Sequence, residues 1–193
     1  NIMAIIYLHH KLEQIPDLIF NELRKGVLKK KHPFKNVVLT TISNVIPKAR
    51  WVVFRKLTSE GKIYIYTDGR SDKVKELKNN SNCSLLFYNN RQGLQIQFNC
   101  TAILHQKNEL SNKYWNGVLG TSSENYTTLF PPGSTINNIE DGHKIINDIE
   151  DHHFALIEID PLRMEVLQLS RVGHIRASFE KVESEWKGTF LVP

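Results

Sequence analysis

Between residues 93 and 106 the chain reads GLQIQFNCTAILHQ, with apolar and polar residues alternating through nearly all of it. In an extended chain Leu94, Ile96, Phe98, Cys100, Ala102 and Leu104 fall on one face, and Gln95, Gln97, Asn99 and Thr101 on the other. A helix would scatter those apolar residues around its cylinder, so the pattern demands a strand. A half-buried strand of this length belongs in an antiparallel sheet with one face in a core.

The flanking segments suit that sheet. NVVLTTIS at 36–43 and ARWVVFRKL at 49–57, divided by Pro47, are rich in β-branched and aromatic residues. KIYIYT at 62–67 follows a Ser59-Glu60-Gly61 turn, and NCSLLFYNN at 82–90 forms a hairpin with the long strand, closing near Arg91 and Gln92. The tail offers four more strands, HFALIEID, RMEVLQLS, HIRASFE and EWKGTFLV, joined by tight turns such as Asp160-Pro161. Helical spacing marks residues 11–30, where Leu12, Ile15, Ile19, Leu23 and Val27 recur every three or four positions. Shorter helices are expected at 72–78, with Ser71 as N-cap, and at 109–118; the stretch from Pro131 to Asp151 has the least pattern. Many short strands and few helices give a mainly β fold, a closed or half-open antiparallel barrel.

No composition shift, repeat or linker divides the 193 residues, which read as one domain with residues 1–35 as an N-terminal helical flank. No apolar run approaches membrane-spanning length, and the opening Met3–Leu8 lacks the flanks of an export signal, so the expectation is a soluble, cytoplasmic protein. Cys83 and Cys100 sit inside strand patterns and read as reduced core thiols. The net charge of +5 raises nucleic acid as a partner, but the one dense basic run, Lys29 to Lys31, suits the C-terminal end of a helix dipole. Nucleic acid is therefore not expected. The paired His9-His10 and His152-His153 lack metal-ligand spacing, and no metal is expected.

Three segments carry charge or polarity where a sheet would not need it. In RWVVFR, Arg50 and Arg55 supply forked donors suited to a phosphate, although strict alternation sends them to opposite faces unless the strand bends. In YTDGRSDK a strand gives way to a helix whose free N–H groups, near Arg70 and Lys73, make an anion site. Gln95 stands on the polar face of the long strand.

The order of these segments resembles the pyridoxamine 5'-phosphate oxidase family. Its FMN-binding members carry an Arg-x-Val-Val-x-Arg strand followed by Thr-Asp-x-Arg-Ser-x-Lys, matched by residues 50–55 and 67–73, and a closing Trp-Lys…Leu-x-Pro, matched by residues 186–193. The resemblance implies an antiparallel six-stranded split β-barrel with flanking helices, FMN as cofactor, and a homodimer with flavin sites at the subunit interface. It implies that Arg50 and Lys73 hold the FMN phosphate with Ser71, and that Arg55 and Arg70 add charge. Trp51, Val52, Val53, Tyr66 and Thr67 would line the isoalloxazine ring, and Gln95 and Arg176 would reach the flavin. Tyr114, Ser122 and His174 would contact a small-molecule substrate, and no side chain need act as acid or base.

The chain also departs from the family. Asp72 replaces one cation of the phosphate helix, Leu167 stands for a tryptophan near the flavin, and Val118 and Val172 occupy the places of two arginines that grip the substrate phosphate. The expected activity is thus an FMN-dependent oxidoreductase with an altered substrate pocket rather than a vitamin B6 oxidase. The competing expectations are a non-catalytic flavin-binding module and, more distantly, a haem- or nucleic-acid-binding barrel.

Overall fold

The computed structural model describes residues 4–118, 120, 122–146 and 150–193. Its strands are β1 (Asn36–Ser43), β2 (Ile46–Val53), β3 (Lys56–Leu57), β4 (Ile63–Asp68), β5 (Asn82–Asn89), β6 (Leu94–His105), β7 (Phe154–Gln168), β8 (Ile175–Val182) and β9 (Glu185–Leu191). The helices are α1 (Ile15–Leu28), α2 (Asp72–Asn79) and α3 (Glu109–Asn116). All nine strands join one antiparallel sheet in the order β2-β1-β5-β6-β7-β4-β3, with β8 pairing β7 and β9. The fold is mainly β, of the split-barrel kind, but the expectation of six strands falls short because the sheet extends through the tail hairpin and is not closed.

Strand β7 organises this shape. It pairs with β6 from Leu156 to Gln168, while its other edge is shared: Phe154 to Ile159 face β4, and Arg163 to Gln168 face β8. The expected turn at Asp160-Pro161 is therefore absent, and two expected strands are one. Cys100 opposes Pro161 and Asn99 opposes Arg163, so Leu162 is an extra residue in the ladder. Such a bulge bends a strand and accommodates a proline that has no N–H to offer. Two other breakers behave unlike their sequence reading. Pro47 lies inside β2, which has a single neighbour and so tolerates the missing donor. The 49–57 segment is instead interrupted at Phe54 and Arg55, whose N–H groups donate to Lys35 and Tyr64 carbonyls.

The alternating face of β6 behaves as its pattern requires. Leu94, Ile96 and Phe98 are fully buried with Leu39, Phe87 and Phe179, and α1 closes the mouth of this core with Ile15, Ile19 and Leu23. The helix is shorter than 11–30, being preceded by a 3-10 turn at Leu12–Gln14. Lys29 to Lys31 lie exposed just past its end.

Candidate functional site

Thr67 and Asp68 end β4, and four residues later α2 begins, so the strand hands a polar turn directly to a helix N-terminus. Ser71 occupies the N-cap position, yet its hydroxyl donates back to the Asp68 carbonyl at 2.7 Å rather than capping α2. The first N–H groups of the helix thus keep their capacity for an external acceptor. Lys73 Nζ donates to Thr67 Oγ1 at 3.0 Å. Arg50 arrives from β2, where it opposes the buried Leu39 and so points to the core side; it donates to Thr41 and pairs with Glu76 Oε2 at 2.7 Å.

Burial first, and then the neighbouring Arg50 charge, hold the Lys73 ammonium below its ordinary lysine value. Two cations therefore converge at a helix N-terminus, an arrangement that a doubly charged phosphate relieves. Asp72 does not oppose this: its carboxylate is largely exposed and pairs with Lys75. Arg70 does not join the cluster. It forks onto both Asp68 carboxylate oxygens and reaches the carbonyls of Thr128 to Phe130, fastening the loop after α3 to the end of β4.

Arg55 also goes elsewhere, because the break after β2 removes it from Arg50's strand. Its guanidinium lies 5.5 Å from the Tyr66 ring centre, and its buried Nε has no hydrogen-bond partner among the described residues. Tyr66 in turn packs against Tyr114 of α3 and Phe154 of β7, at ring distances of 5.9 and 5.2 Å. Lys56 Nζ donates to the Tyr114 hydroxyl at 2.6 Å. Burial, with the nearby Tyr114 adding to it, pushes Tyr66 up to about 12, so this phenol stays protonated. Ser122 precedes the 3-10 turn Ser123–Tyr126, which lays Tyr126 against Phe154 at 5.1 Å.

A third group is set by sheet register. Gln95 opposes Leu167, and Leu167 opposes Arg176, so the three form one row across β6, β7 and β8. Arg176 is held by Glu165 Oε1 at 2.6 Å, and the exposed His174 lies just before β8. This row occupies the face opposite the core, whereas Arg50 shares a core-side row with Leu39, Leu85 and Phe98. Trp51, beside Arg50, is exposed, while Val52 and Val53 are half-buried.

The sequence reading missed Thr41, Glu76, Lys56, Tyr64 and Tyr126. Glu76 had a signal, a carboxylate between apolar Val74 and Leu77 on a short helix that buries all three. Tyr64 and Tyr66 share one face of β4 by alternation. Tyr126 lies in a stretch without periodicity, and only the tertiary fold brings it in.

Residues 17–106 match the family model of the pyridoxamine 5'-phosphate oxidase FMN-binding domain. None of the curated proteins matches the sequence. Among solved structures, a pyridoxamine 5'-phosphate oxidase-related FMN-binding protein from Nostoc punctiforme superposes with a TM-score of 0.77 at 16% identity, covering 95% of this chain and 100% of its own. PhzG from Burkholderia lata, solved in complex with tetrahydrophenazine-1-carboxylic acid, gives 0.76 at 19% identity with both chains fully covered. General stress protein 26 from Bacillus anthracis gives 0.50 at 20% identity over 78% of this chain and 98% of its own. At these identities the likeness is one of fold. Residues 17–106 are thus similar in sequence to the pyridoxamine 5'-phosphate oxidase FMN-binding domain, and the chain shares the split-barrel fold of these FMN-binding proteins.

Proposed function

We propose that the protein is a cytoplasmic, homodimeric, single-domain FMN-dependent oxidoreductase acting on a small molecule other than pyridoxamine 5'-phosphate. The observation that carries this reading is the convergence of Arg50 and Lys73 at the start of α2, with Thr67 and Ser71 beside them. In it, Arg50, Lys73 and the first N–H groups of α2 hold the FMN phosphate. Lys73 exchanges its bond to Thr67 for the phosphate, and Arg50 has donors left beyond those on Thr41 and Glu76. Backbone and side chains of Trp51 to Val53, Tyr66 and Thr67 line the ring. Bound FMN supplies the electron-carrying chemistry, and the protein supplies position and electrostatics.

Gln95 and Arg176 lie on the other face of the sheet from Arg50, so they act on the flavin of a partner copy. That geometry supports a dimer with two shared sites. Arg55, Tyr66 and Tyr114 form the substrate side with Ser122, His174 reaches it beside Arg176 from the partner copy, and Arg55 offers an unused donor to an anionic substrate group.

The test is to incubate the purified protein with excess FMN, dialyse, and record the absorption spectrum. Retained flavin bands that bleach anaerobically with a reduced nicotinamide nucleotide or an amine, and return with oxygen, are expected. A colourless protein overturns the reading; retained flavin that no donor bleaches reduces it to a flavin-binding module.

A further inference from the structure

Arg50, Arg70 and Arg176 pair with Glu76, Asp68 and Glu165, whereas Arg55 pairs with no carboxylate among the described residues. Its Nε is covered and has no hydrogen-bond partner there, while the residue as a whole is only half-buried. Stacking on Tyr66 accounts for where the guanidinium lies. It does not account for a cation drawn partly out of water without a counter-ion or a full set of acceptors, which costs stability unless a ligand supplies them.

The neighbours of Arg55 define what that ligand is. Lys56 donates to the Tyr114 hydroxyl and Lys35 to the Val27 carbonyl, and both oxygens of Asp68 are held by Arg70. The charge left unspent is the single one of Arg55. Two phenols accompany it. Tyr66 lies against the guanidinium, and Tyr126, itself buried, packs on the other side of the Phe154 ring that Tyr66 touches. Tyr126 is fixed there because the His153 N–H donates to its carbonyl at 2.7 Å and Arg70 straps down the residues that follow it. Burial keeps both phenols protonated: it pushes Tyr66 up to about 12 and raises Tyr126 against the pull of the Arg55 charge. One cation with two neutral O–H groups matches a ligand group of one negative charge, and a phosphate dianion would bring its second charge in uncompensated. The planar fork of a guanidinium fits a carboxylate, and the half-buried rings of Tyr66 and Tyr114 offer flat apolar surface to the rest of the molecule.

We propose that the substrate is a small aromatic carboxylic acid, its carboxylate held by Arg55 and by the hydroxyls of Tyr66 and Tyr126, which makes Tyr126 a specificity-determining residue. The inference rests on the reading of this face as the substrate side of a flavin site, and it narrows the substrate group from an anion to a monoanion.

The experiment titrates the purified full chain, after incubation with FMN and dialysis, with benzoate, phenyl phosphate and benzyl alcohol near neutral pH, using calorimetry, which reads binding with or without flavin. Benzoate should bind at least about tenfold more tightly than either of the others. Arg55→Met should remove that preference and Arg55→Lys restore part of it. Tyr126→Phe keeps the ring on Phe154, so it should weaken benzoate about tenfold while leaving benzyl alcohol unchanged, a ratio that a purely structural role would not move. Phenyl phosphate binding as tightly as benzoate, benzoate binding no more tightly than benzyl alcohol, or benzoate binding indifferent to Arg55→Met overturns the proposal. Retained flavin without the benzoate preference overturns this proposal and leaves the flavin reading standing; a colourless protein that still shows the preference does the reverse. Because the preference is read on the unaltered chain, it is decisive even where a variant does not fold.

Discussion

Arg50 and Lys73 differ in what compensates them, and the difference separates their expected phenotypes. Arg50 is paired with the buried carboxylate of Glu76, whereas Lys73 has only the Thr67 hydroxyl and is disfavoured by burial. Losing one charge-assisted bond to a phosphate costs about 1.5–3 kcal/mol, so Lys73→Met should weaken FMN binding roughly 10- to 150-fold. Its flavin-free stability should change little, since a desolvated cation is removed. Arg50→Met should weaken FMN binding and also lower the melting temperature, because Glu76 is left buried without its partner. Flavin titration by fluorescence quenching and thermal melts of the flavin-free variants read the two effects; equal melting temperatures would contradict the assignment of Glu76. On the substrate side, Val118 is buried beside Trp115 and Phe154, and Val172 is exposed, so neither supplies the cation expected of a pyridoxamine 5'-phosphate oxidase. At about 2 kcal/mol for each missing contact, affinity for that substrate should be weaker by roughly a thousandfold. An oxygen-uptake assay on FMN-loaded protein beside a true oxidase checks this, and a micromolar Michaelis constant would refute it.

Two element contacts make equally specific demands. Gly188 brings β9 so close to β8 that a Cβ there would lie 2.3 Å from Phe179 Cδ1 and 2.7 Å from the Ser178 carbonyl oxygen. Phe179 is itself core, so Gly188→Ala should cost about 1–3 kcal/mol in chemical denaturation, as overpacking does. Between α3 and β7, His152 stacks on Trp115 with ring centres 4.1 Å apart. Burial first, then the Lys107 charge, hold this imidazole below the ordinary histidine value. The folded state therefore prefers it neutral: its contribution is complete above the unfolded-state value of about 6.5 and declines as pH falls below that. Protection factors at α3, corrected for the intrinsic exchange rate at each pH, should fall with acidification in this range. His152→Phe, which keeps a ring without a titration, should flatten that dependence; an unchanged pH profile would show that His152 does not set it.

For the molecule as a whole, the exposed residues Val45, Ile46, Trp51, Leu162 and Phe190 lie on β2, β7, β9 and the turn before β2. The site residues are divided between the core side of β2 and the outer face of β6 and β8. A flavin touching both sets needs a second copy, so light scattering at micromolar concentration should give twice the 22.3 kDa chain mass. A single-chain mass would leave Gln95 and Arg176 with no flavin to reach.

What was legible in the sequence is what repeats locally. The period-two face of β6, the three-and-four spacing of α1, and the strand-to-helix passage at residues 67–73 each appear where their patterns put them, because side-chain direction follows backbone geometry within a few residues. The turn residues were less faithful. Pro161 read as a turn and became part of a bulge inside β7, since the ladder to β6 continues on both sides of it. Pro47 read as a divider and became part of an edge strand. Motif order suggested Arg50, Arg55 and Arg70 together, but a guanidinium goes to the nearest compensating group in space: Glu76, the Tyr66 ring and Asp68 respectively. Register likewise decided that Gln95, Leu167 and Arg176 form one row, since that depends on which strands pair and on where the bulge falls. Those partners lie far apart in the chain, and only the folded sheet and helices bring them together.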